Sequence, residues 1–121
     1  MARCFYATVK NQEFEIILDP RVQQSYINTS LAQELEEEFD IKVDTNGEYF
    51  FVFHLNIENR LGENENIYMD LTILEDDECQ YQICLGNDFL SSDLIDRFTE
   101  NTMEILSIDG YDLMSIQIYE C

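Results

Sequence analysis

Basic residues, glycine and proline are all scarce in this sequence. Its 121 residues include six lysines and arginines against 26 aspartates and glutamates, for a formal net charge of −20. A surface this negative repels phosphate groups, so we predict no direct nucleic-acid binding and expect a charged partner to be basic. Four glycines and one proline leave little room for flexible linkers. The length suits one domain spanning residues 1–121.

Motifs for metals, cofactors and membranes are missing as well. His54 is the only histidine, and the four cysteines match no zinc-binding spacing. We therefore predict no metal and no cofactor, and we expect reduced thiols. No apolar run reaches membrane-spanning length, and no apolar segment follows the first basic residue as it would in a signal peptide. The expected location is intracellular, in the cytoplasm or the nucleus, with no membrane partner.

What the sequence does have is a strong β-strand pattern. Residues 5–18 predict a hairpin, and residues 25–28 predict a short strand. A helix should follow, with Ser30 as its N-cap and an apolar stripe from Leu31 to Phe39. The remaining predicted strands cover 48–58, 67–75, 81–86, 102–108 and 113–121.

An acid ends one of the apolar strands. In "EIILDPRVQQSYIN", residues 15–28, the run Ile16 to Leu18 leads directly into Asp19. Burying a carboxylate is costly unless other groups satisfy it or the chemistry uses it. Two carboxylates can carry out acid–base hydrolysis when they share one proton, because like charges about 3 Å apart cannot both ionise. One domain with one such acid needs a second copy to complete the pair across a two-fold axis.

Two motifs resemble those of the retropepsin family, the aspartic proteases of retroviruses and gypsy-type retrotransposons, together with related cellular domains. "ILDPRVQQSYINTSLAQEL" follows the active-site pattern of that family without a gap, with Asp19 in the catalytic place and Val22 in the place of an alanine. "ICLGNDFLSSDLIDRF" reproduces a second landmark of the family through Leu85, Gly86 and Asp88.

The resemblance implies a mainly β fold, a retropepsin-like acid-protease β-barrel. One short-to-medium helix would follow the active-site loop, and one short helix would follow "LGNDFL". The segment "TNGEYFFVFHLNI" occupies the place of the flap hairpin, which makes Asn46, Gly47 and Tyr49 the flap candidates. Family dimers pair through strands from the chain termini, and here the last segment alternates apolar and polar residues. The dimer-strand candidates are Met114, Ile116 and Ile118.

The departures from the family pattern fall in the active-site loop. Pro20 replaces the threonine or serine whose hydroxyl helps to hold the two active-site loops together in the family, and proline has neither a hydroxyl nor an N–H. Arg21 replaces a glycine. If its guanidinium reaches Asp19, it lowers the pKa of that carboxyl and opposes the shared-proton state.

Three functions are compatible with these features of the sequence. The leading interpretation is a non-proteolytic, retropepsin-like interaction module that forms a homodimer, binds a peptide segment of a partner by strand addition, or does both. The first alternative is an active homodimeric aspartic endopeptidase that uses Asp19 from each subunit. The second alternative is an unrelated acidic β-domain that binds basic proteins by charge.

Overall fold

Strands make up most of the computed structural model, which describes residues 2–9, 12–37, 40–43, 45–58, 62, 64–106 and 113–121. Among these residues, no helix is long and apolar enough to cross a membrane. In chain order the elements are β1 (Arg3–Val9), β2 (Gln12–Leu18), β3 (Tyr26–Asn28), α1 (Thr29–Leu35), β4 (Asp40–Val43), β5 (Tyr49–Glu58), β6 (Asn64–Leu74), a 3-10 turn (Asp76–Glu78), β7 (Ile83–Leu85), α2 (Asn87–Leu90), β8 (Ile95–Phe98), β9 (Thr102–Leu106), β10 (Leu113–Gln117) and β11 (Tyr119–Glu120).

The described chain begins with the predicted hairpin, formed by β1 and β2. Its register places Cys4 opposite Ile17. Ile16 and Leu18 on one face of β2 are buried in the main core, and Ile17 on the other face is buried in a second cluster with Cys4. A strand that is covered on both faces is continuously apolar instead of alternating. The run of three apolar residues before Asp19 follows from this double burial.

The larger sheet brings the two sequence motifs together. Its strand order is β11-β1-β2-β7-β3-β6-β5-β4. Strand β7 runs parallel to β2 and antiparallel to β3, and all three of its residues are buried. Strand β7 therefore lies between the strand that enters the loop of residues 19–25, which we call the Asp19 loop, and the strand that leaves it. The segment after β7, which carries Gly86 and Asp88, consequently meets that loop.

Helix α1 begins at a different cap from the predicted one. The N-cap is Asn28, whose side-chain oxygen accepts a hydrogen bond from the N–H of Leu31 at 2.9 Å. The prediction of Ser30 as N-cap is wrong, because Ser30 lies inside the first turn and its N–H and hydroxyl donate to the carboxylate of Asp76. Leu31 is buried, as the apolar stripe predicts. Phe39, the predicted end of that stripe, lies outside the described residues.

The β5–β6 hairpin supplies the largest fully buried side chains of the core. Phe51 and Phe53 are both fully buried, and their ring centroids lie 6.4 Å apart. Strand β5 confirms the strand predicted over residues 48–58. Strand β4 pairs with β5 and forms one edge of the sheet.

The last strands return the chain to its beginning. Strand β10 pairs with β9 in a three-stranded sheet of order β10-β9-β8, and β11 then pairs with β1. Met114 and Ile118 are buried in the main core, and the half-buried Ile116 packs against it. The side chains of the three dimer-strand candidates thus contribute to the core of their own chain. Pairing with a second copy would have to use backbone groups of this region.

Two of the four cysteines are joined. Cys4 and Cys121 form a disulfide with their Cα atoms 6.0 Å apart, whereas Cys79 and Cys84 are free. The expectation of reduced thiols is therefore wrong for the first pair. Its partners are 117 residues apart in the sequence, and only the pairing of β1 with β11 brings them together.

Candidate functional site

The Asp19 loop turns sharply as it leaves β2. The N–H of Asp19 donates to the carbonyl of Leu85 at 3.0 Å, which extends the pairing of β2 with β7 by one residue. The carbonyl of Asp19 accepts from the N–H of Val22 at 3.1 Å, closing a turn over Pro20 and Arg21. Asp19 is only 8% exposed. Its carboxylate is therefore held near the surface but largely out of water.

Arg21 donates hydrogen bonds to the Asp19 carboxylate from both its backbone and its side chain. The backbone N–H and Nε donate to Oδ1 at 3.0 and 3.1 Å, and Nη2 donates to Oδ2 at 3.2 Å. This is the two-pronged arrangement that makes arginine–carboxylate pairs geometrically specific. The Arg21 side chain is 85% exposed, against 10% for Asp19. The arginine thus covers the acid from the solvent side.

The charge state of this pair follows from its contacts. Hydrogen bonds from the Arg21 side chain lower the pKa of Asp19 below its usual value, and partial burial opposes that shift without reversing it. The same pairing raises the pKa of Arg21. At neutral pH Asp19 is a carboxylate whose oxygens already accept three hydrogen bonds. It is a poor proton donor and a poor partner for a shared proton.

Gly86 permits the Asp19 loop to lie directly on the segment after β7. A Cβ atom at this position would lie 2.5 Å from the carbonyl oxygen of Val22 and 3.2 Å from its Cγ1. The same carbonyl accepts a hydrogen bond from the N–H of Asn87 at 2.7 Å, and the carbonyl of Gln23 accepts from the N–H of Asp88 at 3.2 Å. The glycine is required by close approach and not by its dihedral angles.

Ser25 and Asp88 also join the Asp19 loop to the segment after β7 through hydrogen bonds. The Ser25 hydroxyl donates to Asp88 at 2.6 Å and accepts from the N–H of Gly86 at 2.9 Å. The Ser25 N–H also points at both oxygens of Asp88, at 3.0 and 3.1 Å. Among the described residues, Ser25 and Asp19 are the buried polar ones. Ser25 is not among the site residues that the sequence predicts. Its signal was a small hydroxyl placed directly before the buried strand β3.

The buried thiol of Cys84 lies beneath the Asp19 loop. Cys84 is fully buried, and its pKa rises to about 11, first because of burial and then because of the negative charge of Asp19. Tyr26 packs in the same cluster, where burial raises its pKa as well. Both groups stay protonated at neutral pH. They provide no base or nucleophile to Asp19.

Ser25 and Asp88 also border an open cleft of about 180 Å³. Acidic, aromatic and hydroxyl groups from β6 and the α2 region surround it. Its lining residues are Ser25, Tyr68, Met69, Asp70, Asp88, Phe89, Ser92 and Leu94.

One group of metal-type donor atoms occurs in the part of the chain that the structure describes. Oxygen and sulfur atoms of Glu15, Cys4 and Cys121 lie within 4.8 Å of one another. Both sulfurs are already bonded to each other in the disulfide. The group is also distinct from the Asp19 loop.

Comparison with known proteins rests on structure alone. No family model and no curated sequence matches the chain. It is similar to the crystal structure of the retroviral protease-like domain of Ddi1 from Leishmania major, with a TM-score of 0.58 and 17% identity, covering 95% of this chain and 93% of that one. The fold is retropepsin-like. At this identity the likeness establishes the fold and leaves the activity open.

Within this retropepsin-like fold, the sequence motifs fall into one assembled group and one separate group. Asp19, Arg21, Val22, Gly86 and Asp88 come together around the contact between the two loops. The flap candidates lie elsewhere, in the turn between β4 and β5 at the far end of the strand order. There Gly47 has a φ of 83°, and the start of β5 projects an aromatic side chain into solvent. The flap candidates, all exposed, are Asn46, Gly47 and Tyr49.

Proposed function

We propose that this chain is a non-proteolytic, retropepsin-like interaction module that self-associates and binds extended basic peptides of partner proteins. The observation that carries the proposal is the grip of Arg21 on Asp19. Three donors occupy the carboxylate, and the pKa of Asp19 is lowered. An aspartic peptidase needs two such acids to share one proton, which requires one of them to stay protonated near working pH. A carboxyl that is ionised by its own arginine opposes that state.

The loop sequence supports the same conclusion. Pro20 offers no hydroxyl and no N–H with which to join two such loops across a dimer axis. Arg21 places bulk and charge where close approach of a substrate backbone would be needed. The supporting contacts of Gly86 and Asp88 are nevertheless complete. A scaffold that is kept around an altered acid favours binding over chemistry.

The charge of the chain determines the class of peptide we propose. With a net charge of −20, the module attracts segments rich in lysine and arginine. Extended segments suit a β-rich protein because backbone hydrogen bonds to a sheet edge supply affinity for any sequence, while charge and side-chain pockets select among sequences. The retropepsin-like fold argues against the unrelated acidic β-domain, which would share the charge but not the loop architecture.

Peptide digestion tests the non-proteolytic part of the proposal. The chain and its Asp19→Asn variant are incubated with a diverse peptide library between about pH 4 and about pH 7, the range in which paired aspartates work. We expect no cleavage that depends on Asp19. Cleavage by the unaltered chain that disappears in Asp19→Asn would establish the active endopeptidase instead.

Peptide titration tests the binding part. A fluorescent lysine- and arginine-rich peptide should bind, with an affinity that falls as salt rises, and a peptide of the same length with acidic residues should not. Asp19→Asn should bind nearly as well as the unaltered chain, because Arg21 already neutralises that carboxylate. Equal binding of basic and acidic peptides, or a large loss in Asp19→Asn, would contradict the proposed mode.

A further inference from the structure

The terminal strand β11 is covalently tied to β1. The link is the Cys4–Cys121 disulfide, which we call the clasp. Cys4 lies within β1 and is fully buried, whereas Cys121 directly follows β11 and is exposed. The clasp therefore fixes an edge strand to the sheet, and one of its two sulfurs belongs to a solvent-exposed residue.

Few other contacts hold β11 in place. The strand is two residues long, and its register pairs Tyr119 with Cys4 and Glu120 with Arg3. The rings of Tyr119 and Tyr6 lie 5.6 Å apart, and both residues are about half exposed. An exposed edge strand of this length makes few backbone hydrogen bonds, and those it makes are open to water. Without the clasp, β11 has little to keep it on β1.

Detachment of β11 would stop at Ile118. That side chain is buried in the main core, and its N–H donates to the carbonyl of Asn101 at 2.8 Å. The preceding strand β10 is paired with β9 over five residue pairs. Only Tyr119, Glu120 and Cys121 are thus free to leave while the rest of the chain stays folded.

The place that β11 occupies also suits β11 of a second copy. Arg3 and Glu120 are cross-strand partners in the register, while the Arg3 guanidinium pairs with Glu100 at 3.6 Å. If two copies exchange β11, each Arg3 meets the Glu120 of the other copy, and each Tyr6 meets the other Tyr119. Exchange of an identical element between protomers remakes the same contacts around a two-fold axis. The β1 edge is open for this exchange only when its own β11 has left.

We propose that the clasp is a redox switch on self-association: the disulfide keeps β11 on its own β1, and its reduction releases β11 for exchange with a second copy. This inference rests on the self-association of the proposed function and adds its regulation. A thiolate of a dithiol reductant bonds to Sγ of Cys121, the bond to Cys4 breaks, and Cys4 leaves as a thiolate that takes up a proton. The second thiol of the reductant then displaces Cys121, which yields two cysteine thiols and one oxidised dithiol.

Glu15 sets the rate of this reaction. A carboxylate oxygen of Glu15 lies within 4.8 Å of both sulfur atoms. A negative charge at this distance disfavours the departing Cys4 thiolate and repels an incoming thiolate. Reduction of the clasp should therefore be slower than for other disulfides in which one cysteine is as exposed as Cys121. Removing the charge of Glu15 should make it faster.

Light scattering coupled to gel filtration tests the switch at matched concentration and moderate salt. Oxidised chain should run as a monomer, and reduced chain should dimerise with an apparent dissociation constant at least about tenfold lower, since a closed clasp leaves few molecules competent for exchange. Cys121→Ser should behave like reduced chain with or without reductant. Cys79→Ser, which removes a free thiol, should respond to reductant as the unaltered chain does. Equal association of oxidised chain, reduced chain and Cys121→Ser would overturn the switch.

Two further readouts separate this inference from the proposed function. Titration with the basic peptide in both redox states reports on the module itself, whose failure would appear as loss of binding in both states. Mass spectrometry after alkylation of unfolded, unreduced protein should find two modified cysteines, and four would overturn the clasp. Glu15→Gln should be reduced about threefold faster than Glu13→Gln, which loses the same charge elsewhere on β2. Equal rates would remove the role of Glu15.

Discussion

The Asp19 loop and the segment from Leu85 to Asp88 pack against each other but differ in what they do. In the first, an acid is bound by the arginine two residues after it. In the second, the contacts serve the junction: Gly86 makes room for Val22, and Asp88 binds Ser25. The difference teaches that the contacts which shape a retropepsin-like loop and the groups that would do chemistry on it are separable.

Gly86→Ala should have the largest effect on stability. Its Cβ would lie 2.5 Å from a backbone oxygen, which cannot move aside as a flexible side chain would. We expect the free energy of unfolding to fall by about 3 kcal/mol, as for a severe overpacking change. Urea denaturation followed by circular dichroism measures it. Gly47→Ala is the control: open space surrounds that position, and its φ of 83° alone should cost about 1 kcal/mol. Equal losses would mean that the loops do not meet as described.

Ser25→Ala should have an intermediate effect. It removes the hydroxyl that donates to Asp88 and accepts from the N–H of Gly86, and it leaves that buried N–H without its acceptor. Such a loss amounts to about 2 kcal/mol. Ser91→Ala, an exposed serine whose hydroxyl donates to the carbonyl of Asn87, should change stability by less than about 0.5 kcal/mol in the same urea experiment. A loss as small for Ser25→Ala would show that the network adds little.

Arg21→Ala should have the smallest effect on stability and the clearest effect on titration. Arg21 lowers the folded-state pKa of Asp19, so its removal should raise that pKa, as followed by carbon-detected NMR of the Asp19 carboxyl. The stability that comes from this lowered pKa is present above the unfolded value of about 3.9, and it is lost as pH falls through the folded pKa. The two proteins should therefore converge in stability in acid. Salt should also reduce their difference at neutral pH, because Arg21 is exposed.

A stability difference that persisted at a pH low enough to protonate the Asp19 carboxyl in both folded proteins would contradict this account. An unchanged pKa of Asp19 in Arg21→Ala would contradict the contact itself. Either result would reopen the question of whether Asp19 can share a proton with a second copy.

Local patterns predicted the framework of the fold well. The hairpin over 5–18 and the strand over 48–58 are confirmed, because alternation and turn residues act over a few positions. The second short helix is also present, but it forms within "LGNDFL", at Asn87–Leu90, and not after it. The sequence also raised the contact of Arg21 with Asp19, as one that would lower the pKa of Asp19 if it formed. A long side chain two residues from an acid can make this contact locally, without distant segments. The helix cap was wrong because Asn28 and Ser30 are both good caps, and only Asp76, distant in sequence, decides between them.

Local patterns could not predict contacts between segments that are distant in the sequence. The clasp joins residues whose strands meet only after the whole sheet is built. The apolar alternation of the last segment predicted a buried face but could not say which protein buries it. The structure assigns Met114 and Ile118 to the core of their own chain. The roles in dimerisation and in the flap stay predictions.

The position of β7 also has a consequence for synthesis of the chain. Strands β2 and β3 are separated by a short loop, yet they do not pair with each other, since β7 lies between them. Strand β2 can pair with β1 early, but its other edge, at Ile17, stays unpaired until Cys84 of β7 has emerged from the ribosome. At about 5–20 residues per second, this leaves two unpaired apolar edges open for seconds. We expect the nascent chain to depend on chaperones in that interval, and the large sheet to close late because its centre is its most non-local part.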